Sequence, residues 1–283
     1  MARHTPPRPV SVEELFPELV PFRREALRLH PRAGAPSCRE SSVGGPLLWP
    51  AEEAWPMCDV ADGAHEGVVA MVPVVQLYRA DAPGVPYPEG ADLLQVLWCP
   101  FEHGEFCCPL PLVRWRDAGA VGEVLPTPPA PAEADEDHVP SPCVVHPERV
   151  AEYPSWDLPR ELRETLSDRF QRLEKDTGWM YWYHLADAPG IKVGGYPGWT
   201  QDPYWPDCPS CGERMAHLLT VASREYDGES KRTWVPVEDR IDGEPDRAAL
   251  DAAGLMLGDV GGVYIFECRA CPDRPVGHWF DCS

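Results

Sequence analysis

The stretch GGPLLWPAEEAWPMC (residues 44–58) recurs in related form as GGYPGWTQDPYWPDC (residues 194–208). The two stretches align without a gap, 150 residues apart, and share the paired glycines, both tryptophans, the proline after the second tryptophan and the final cysteine. Tryptophan and cysteine are rare residue types, so the agreement indicates two copies of one structural unit. Each copy delivers a cysteine, Cys58 or Cys208, to the same place in that unit.

The segments that follow the two stretches also share their order. Each half continues with an apolar run, a turn rich in Pro or Gly, and a second apolar run that ends in cysteine. In this way QVLWC at residues 95–99 corresponds to YIFEC at residues 264–268. Apolar and β-branched runs bounded by Pro and Gly predict strands. We therefore predict an α+β fold, a β-rich scaffold of two pseudo-repeated halves with flanking helices and a zinc-knuckle site.

Composition divides the chain into four regions. Residues 1–40 are predicted as a helical lead-in, in which FRREALRLH (residues 22–30) has helical character. Residues 41–125 form the first half, and residues 143–283 form the second. Residues 126–142 between them are acidic and proline-rich, which is typical of a solvated linker or of a flexible insertion. Strands are predicted at residues 68–78, 93–99, 112–116, 179–184, 215–223 and 261–272.

One long helix is predicted in the second half, at residues 159–177. Four apolar residues recur along it at helical spacing: Leu162, Leu166, Phe170 and Leu173. The other positions of this segment are mostly charged or polar, and Gly178 provides a stop signal. We expect the apolar stripe to pack on the core of the same chain.

The charge balance is strongly acidic, with 46 Asp and Glu against 25 Lys and Arg and a net charge of −21. Such a surface repels the phosphate backbone, which disfavours binding to nucleic acid. It is typical of a solvated surface, and it also suits a basic partner protein. The sequence shows no leader-like apolar segment and no membrane-spanning run, so a cytoplasmic location is predicted. There the 11 cysteines are expected to be thiols or metal ligands.

Two Cys-x-x-Cys pairs carry the strongest chemical signal: Cys208 with Cys211, and Cys268 with Cys271. Two residues between thiolates allow a tight turn to direct both sulfurs at one ion, and two such turns complete a tetrahedral four-thiolate site. The spacing predicts a structural Zn²⁺ ion bound by these four residues. The gap of 56 residues between the pairs is long for a compact zinc ribbon, so the intervening chain must loop out.

The first half holds altered counterparts of these ligands. Cys58 matches Cys208 and Cys99 matches Cys268, whereas Ala61 and Glu102 stand where the other two cysteines would fall. Two histidines lie nearby in sequence, and they suggest a second zinc site made of Cys58, His65, Cys99 and His103. The alternative is a degenerate site in which the thiols pack as small apolar groups.

The repeated stretch and its neighbours resemble a known family. KVGGYPGWTQDP (residues 192–203) resembles the Lys-x-Gly-Gly-Tyr-Pro-x-Trp-x-Gln signature of YwqG-like proteins, a bacterial domain of unknown function. Residues 41–56, 72–98 and 254–266 are similar to further elements of that family. The resemblance implies one domain of mixed α and β structure with two similar halves, here in a cysteine-containing, zinc-binding branch from a GC-rich bacterium. It also implies a link to bacterial toxin–immunity loci.

Motifs of known catalytic sites do not occur in the sequence. It has no Gly-x-Ser-x-Gly elbow, no His-Glu-x-x-His, no P-loop and no Gly-x-Gly-x-x-Gly. Cys107 and Cys108 near His103 offer only a weak nucleophile-and-base pattern. Polar and aromatic residues of the family-like motifs could anchor loops or line a groove between the halves: Trp49, Gln76, Lys192, Trp199 and Gln201.

These observations favour a binding protein over an enzyme. We expect a zinc-stabilised scaffold that recognises another protein, with an immunity or antitoxin-like role against a basic toxin as the concrete form. The alternative is an enzyme of unknown reaction that works in a cleft between the halves. A zinc ribbon that binds nucleic acid is the least consistent with the net charge.

Overall fold

A computed structural model describes residues 1–104 and 107–282 of the chain. In this part of the chain the strands are β1 (Arg24–Arg28), β2 (Arg32–Ala33), β3 (Ser42–Val43), β4 (Met57–Cys58), β5 (Val69–Ala70), β6 (Val72–Tyr78), β7 (Leu93–His103), β8 (Cys108–Arg116), β9 (Cys143–Val144), β10 (Glu148–Glu152), β11 (Lys192–Gly194), β12 (Ala216–Ala222), β13 (Arg240–Ile241), β14 (Glu244–Pro245), β15 (Gly262–Glu267) and β16 (Val276–Asp281). The α-helices are α1 (Val12–Leu15), α2 (Arg160–Thr177), α3 (Tyr181–His184) and α4 (Lys231–Trp234). Short 3₁₀ turns cover Pro17–Phe22, Ala118–Ala120, Glu136–His138, Val237–Asp239 and Arg247–Ala249.

Two six-stranded antiparallel sheets form the body of the protein. The first sheet has the order β2-β9-β3-β6-β7-β8, and the second has the order β10-β1-β11-β12-β15-β16. Two small ribbons, β4-β5 and β13-β14, lie outside them. The prediction of a β-rich chain with few helices is therefore confirmed.

The largest apolar cluster joins the two sheets. It contains Val74 and Val96 from the first sheet together with Val221 and Ile265 from the second. All four side chains are fully buried. Because side chains alternate between the two faces of a strand, each sheet turns one face towards this shared core and leaves the other for separate clusters.

The long helix forms where the sequence predicts it. α2 begins at Arg160 and ends at Thr177, and Gly178 adopts the left-handed conformation that ends it, with a φ of +72°. Its buried stripe packs on the N-terminal segment, where Phe16 contacts Phe170 edge to face with 4.9 Å between ring centroids. The packing expected of this helix is therefore present.

Two local predictions are wrong. The segment predicted as a lead-in helix contains strand β1, which hydrogen-bonds to β10 on one side and β11 on the other. This central position in the sheet, with Leu27 buried in the core, outweighs the intrinsic helix preference of the sequence. The predicted strand at residues 179–184 contains helix α3 instead, because Tyr181 stacks on Phe170 of α2 at 4.1 Å between centroids.

The acidic connector at residues 126–142 packs on the body of the protein. Trp98 Nε1 donates to the carbonyl of His138 at 2.7 Å, and the Met256 amide donates to the carbonyl of Asp137 at 3.0 Å. After the connector, β9 returns to the first sheet although the composition assigns it to the second half. In a similar way β1, from the lead-in, lies within the second sheet. Neither sheet therefore follows the boundaries of the regions predicted from the sequence.

A buried ion pair fixes the loop around the second Gly-Gly pair. Lys192 Nζ donates to Glu152 Oε1 at 2.8 Å, and both side chains are almost fully excluded from solvent. The amide of Ala188 donates to the same oxygen and the amide of Tyr196 donates to Oε2, each at 2.8 Å. A Cβ at Gly195 would lie 2.2 Å from Glu152 Oε2, and its φ is +64°, so this position needs glycine. Glu152 thus ties β10 to β11 and to the repeated stretch.

We predict that Glu152→Gln lowers the free energy of unfolding by about 3–5 kcal/mol, because it removes the carboxylate that is hydrogen-bonded to the buried Lys192 ammonium. Urea denaturation followed by circular dichroism measures this change. The matched control is Glu164→Gln, which breaks the exposed pair with Arg160 and should cost about 0.5 kcal/mol or less. Equal effects of the two variants would contradict the structural role given to Glu152.

Candidate metal centres

The four cysteines of the two Cys-x-x-Cys pairs meet in one cluster at the end of the second sheet. Their Sγ atoms all lie within 4.8 Å of one another. Cys208 and Cys271 are 3.9 Å apart and Cys211 and Cys268 are 3.6 Å apart, sulfur to sulfur. A tetrahedral ion with Zn–S bonds near ~2.3 Å places its sulfurs about 3.8 Å apart. The cluster can therefore hold a metal ion with four thiolate ligands.

Each pair lies on its own tight turn. The first turn closes when the Cys208 amide donates to the carbonyl of Glu213 at 2.8 Å and the Gly212 amide donates to the carbonyl of Cys208 at 2.9 Å. The second turn joins β15 to β16, and the Cys268 amide donates to the carbonyl of Pro275 at 2.9 Å.

Strand pairing explains why the two turns are close in space although 56 residues lie between them in the sequence. Strands β12 and β15 run antiparallel, and Ala216 at the start of β12 pairs with Glu267 at the end of β15. The two turns therefore meet at the same end of the sheet, while the intervening chain forms α4 and the β13-β14 ribbon elsewhere. The loop expected from the sequence is present.

Backbone amides stabilise charge on one sulfur of this cluster. Burial acts to raise the pKa of Cys208, but hydrogen bonds from the backbone amides of Cys211 and Ser210 outweigh it and lower the pKa to about 7. The contact with the Cys211 thiol raises the pKa of Cys271 well above its usual value. Thiols this close do not ionise together without a cation between them, so binding of a metal ion must release protons.

A second cluster lies in the first half, beside strands β4 and β7. It consists of Cys58 on β4, His65 in the following loop, and Cys99 and His103 on β7, with all four ligand atoms within 4.8 Å of one another. Cys58 Sγ lies 3.4 Å from His65 Nε2 and 3.7 Å from His103 Nε2. A tetrahedral zinc ion with mixed sulfur and nitrogen ligands spaces these atoms about 3.6 Å apart. This cluster can also hold a metal ion.

An aspartate outside the four ligands orients one of the histidines. His103 Nδ1 lies 3.0 Å from Asp62 Oδ2, which also accepts the Gly104 amide at 3.0 Å. A proton on Nδ1 shared with this carboxylate leaves the Nε2 lone pair facing Cys58, an arrangement that metal-binding histidines commonly use. Hydrogen bonds from the backbone amide of Ala64, from that of Gly104 and from the His103 ring hold the pKa of Asp62 below its usual value. Sequence reasoning did not single out Asp62, because its partner lies 41 residues away.

His65 and Cys99 lack the support that Asp62 gives to His103. His65 Nδ1 is buried and has no hydrogen-bond partner among the described residues. Burial, together with the nearby Cys58 thiol, raises the pKa of Cys99 to about 12. Without a bound cation, Cys99 is therefore a neutral thiol at neutral pH.

The thiols of Cys107 and Cys108 do not form a reactive pair with His103. Burial raises the pKa of Cys108 far above its usual value, and the carboxylate of Glu102 raises that of Cys107. Both are therefore protonated at neutral pH, and the ring of His103 faces Cys58 and Asp62. This geometry opposes the nucleophile-and-base pattern noted in the sequence.

The five residues proposed for a shared groove occupy separate places in the structure. Gln76 is fully buried and accepts the Leu48 amide at 2.8 Å, and Lys192 is buried in its ion pair with Glu152. Trp49 is buried beneath the guanidinium of Arg116 on the first half.

The other two lie in the second half. Gln201 is exposed and donates to the carbonyl of Cys282 at 2.7 Å, while Trp199 alone of the five lines one of the two cavities described below. Anchoring of loops, the alternative left open by the sequence, is what the observed hydrogen bonds of Gln76 and Gln201 provide.

Comparison with models of known protein families gives no match, and comparison with curated proteins gives none either. Among residues 1–104 and 107–282, none of the helices combines the length and the apolar character needed to cross a membrane. Function is therefore inferred from the geometry of the two clusters and of the surfaces around them.

We predict that Asp62→Ala weakens metal binding at the first cluster by about 10- to 100-fold, because His103 loses the partner that orients its ring. Titration of the metal-free chain with Co²⁺ and with Zn²⁺ against a chromophoric chelator measures the affinity. Asp59→Ala is the matched control, since Asp59 is an exposed carboxylate three residues away in the same loop. Equal affinity of the two variants would contradict the role of Asp62.

Proposed function

We propose that the protein is a zinc-stabilised scaffold of two related halves that binds another protein, in an immunity or antitoxin-like role. The observation that carries the structural part is that each cluster offers four ligand atoms from the chain itself within 4.8 Å of one another, which is compatible with tetrahedral coordination. A site with four protein ligands has no open coordination position for a substrate or a reactive water. The two zinc ions would therefore hold strands together rather than perform chemistry.

The order and register of the strands support the proposed repeat. The order β3-β6-β7-β8 in the first sheet parallels β11-β12-β15-β16 in the second. In the first sheet Ser42 pairs with Gln76, which pairs with Gln95. In the second sheet the corresponding chain of partners is Lys192, Thr220 and Tyr264. Ser42 and Lys192, like Gln95 and Tyr264, are the positions that the sequence alignment equates.

Irregular features recur at the same places, which supports the repeat more strongly than regular strands do. The register shifts between Pro73 and Val75 in β6, and between His217 and Leu219 in β12. Bulges inserted at equivalent positions are specific features of a fold rather than consequences of strand pairing in general.

The repeated stretches also make the same backbone bond. The Met71 amide donates to the carbonyl of Pro56 at 3.0 Å, and the Met215 amide donates to the carbonyl of Pro206 at 2.9 Å. Each cluster of ligands adjoins an apolar cluster that contains the first tryptophan of its repeated stretch, Trp49 or Trp199. The repeated sequence would thus be a corner that presents a cysteine to the end of a strand pair.

The proposed membership in the YwqG-like family rests on the same stretches. Lys192 and Gly195 of the resembling signature are the residues that meet Glu152 in the buried ion pair and its loop. The signature would therefore encode the anchoring of the repeated corner to the sheet. The two clusters of metal ligands in this chain would place it in a metal-binding branch of the family.

The alternative, an enzyme with a cleft between the halves, has less support. A groove of about 700 Å³ lies between them and is lined by Gly84 and Pro86 from the first half, Arg214 from the second half, and Arg24 on strand β1 of the second sheet. His217 also lines it, but both ring nitrogens are engaged, with Gly194 O at 2.9 Å and Thr220 Oγ1 at 3.0 Å.

The protonation of His217 agrees with this view. Burial lowers its pKa to about 3, so the ring is neutral at physiological pH and does not gain a proton there. Asp157 also lines the groove, and burial raises the pKa of its carboxyl, but its two oxygens accept the indole N–H groups of Trp199 and Trp205. The groove is better suited to binding than to general acid–base catalysis.

A basic partner is favoured by the charge of the chain and by one exposed segment. The net charge is −21, and the connector exposes Glu133, Asp135, Glu136 and Asp137 on the surface. The backbone bonds of this connector to the sheet hold the four carboxylates on a fixed segment rather than on a flexible tail. Such a patch would speed the association of a basic protein and would attract its positive charges in the complex.

We predict about two zinc ions per chain for the protein purified without chelators, measured by inductively coupled plasma mass spectrometry with protein concentration from amino-acid analysis. Cys211→Ser should remove one ion and Cys58→Ser the other, since each takes one of four ligands from a site. Cys38→Ser is the control, because Cys38 lies outside both clusters. A content below one ion per chain, or unchanged zinc in both variants, would contradict the structural role of the metal.

We predict a stable complex between the metal-loaded chain and a basic protein encoded beside it, with an affinity that falls as salt rises. Co-expression with each neighbouring gene product, followed by size-exclusion chromatography and calorimetry, tests this. Neutralising Glu133, Glu136 and Asp137 to the corresponding amides should weaken the complex. The matched control neutralises Glu161, Glu164 and Glu174 on α2. Failure of every neighbouring product to bind would reject the partner and leave the zinc measurement unaffected.

A further inference from the structure

A second cavity lies entirely within the second half, on the side of the sheet that faces α2 and α3. It has a volume of about 600 Å³, which is in the range of cavities that bind small molecules. Its wall includes the ends of β12 and β15, the loop that precedes α2, and the turn that follows α3. This cavity is separate from the groove between the halves, and neither cluster of metal ligands lines it.

Aromatic side chains surround the mouth of this cavity. Trp156, Trp182 and Tyr183 line it, and each is exposed by about two fifths of its surface or more, at 41 %, 39 % and 47 %. Large aromatic groups are normally covered, and a group of three exposed ones around a cavity marks a surface that binds apolar or planar ligands.

Two charged groups on the wall have unused hydrogen-bonding capacity. Asp187 Oδ1 and Arg224 Nε are both buried, and among the described residues neither has a hydrogen-bond partner. A buried polar atom without a partner costs about 1–3 kcal/mol, and more when it belongs to a charged group. Ser155 hydrogen-bonds to the Asp187 carboxyl, but one carboxylate oxygen and one guanidinium nitrogen remain without partners in one cavity, which indicates a ligand that supplies a donor to the first group and an acceptor to the second.

The protonation of the carboxyl agrees with that reading. Burial raises the pKa of Asp187 to about 6, against the effect of the nearby Lys192 ammonium. The group is therefore largely ionised at neutral pH and can pair with a cation. Lys192 itself does not serve as that cation, because Glu152 holds its ammonium at 2.8 Å.

We propose that this cavity binds a small aromatic zwitterion, of which a free aromatic α-amino acid is the simplest member. The ammonium group of the ligand pairs with Asp187, its carboxylate pairs with Arg224, and its ring lies among the aromatic side chains at the mouth. Arginine suits the second role because its planar fork matches a carboxylate. The inference stands apart from the proposed scaffold role and would survive if that role were rejected.

Isothermal titration calorimetry on the metal-loaded chain tests the proposal with three probes that share one ring system: L-tryptophan, tryptamine and indole-3-propionate. Tryptamine lacks the carboxylate, and indole-3-propionate lacks the ammonium group. L-tryptophan should bind at least about tenfold more tightly than either, because each analogue leaves one charged group of the wall unpaired. This comparison uses the unaltered protein, so it does not depend on whether variants fold.

Two variants then assign the charges. Arg224→Gln should remove the preference for L-tryptophan over tryptamine, and Asp187→Asn should remove the preference over indole-3-propionate. Arg172→Gln and Asp168→Asn are matched controls on the exposed face of α2, outside the cavity, and should keep both preferences. The proposal is overturned if L-tryptophan, L-phenylalanine and L-tyrosine all fail to bind at millimolar concentration, or if the three probes bind equally well.

Discussion

Four thiol or imidazole ligand atoms packed within 4.8 Å of one another, in each of two clusters, are the constraint on which the rest of the structure depends. Thiols at this spacing repel when ionised and make poor hydrogen bonds when neutral, so a cation is the group that stabilises the arrangement. Ligands of the two clusters lie on β7 or directly after β15, and both strands contribute side chains to the shared core. A metal ion at each place would therefore fix the ends of both sheets.

The two clusters differ in the ligands that they offer to a metal ion. The first is nearly closed to solvent, since Cys58, Cys99 and His103 are buried, and a zinc ion with two thiolates and two neutral imidazoles carries no net charge there. The second leaves Cys211 exposed, and four thiolates around the same ion give a net charge of −2. Because burial of net charge is costly, the neutral ligand set suits the buried corner and the charged set suits the corner open to water.

The sequence predicts the parts of this structure that depend on local patterns. The spacing of Cys208 and Cys211, the alignment of Cys58 with Cys208, and the apolar stripe of α2 all lie within short segments, and the structure brings the predicted ligand sets together. It does not predict β1 or the packing of the connector, because both depend on partners that are distant in sequence, between 40 residues (Trp98 and His138) and more than 100 residues (β1 and β10) away. The roles of Asp62 and Glu152 are not predicted for the same reason, because only folding places His103 and Lys192 beside them.

The metal cluster of the second half and the cavity beside it share structural residues. Trp199 packs with Cys208 and Cys268 in one apolar cluster, and it also lines the cavity. Tyr264 contacts Trp199 at 4.7 Å between ring centroids, and its hydroxyl donates to Asp281 at 2.6 Å across the β15–β16 pair that the second Cys-x-x-Cys turn closes. A wall held in this way is ordered before any ligand arrives, which lowers the entropy lost on binding. Thus a metal ion bound by the four cysteines, although without an open coordination position, would also contribute to the proposed recognition, since the order imposed on the strand ends would extend through Trp199 and Tyr264 to the cavity.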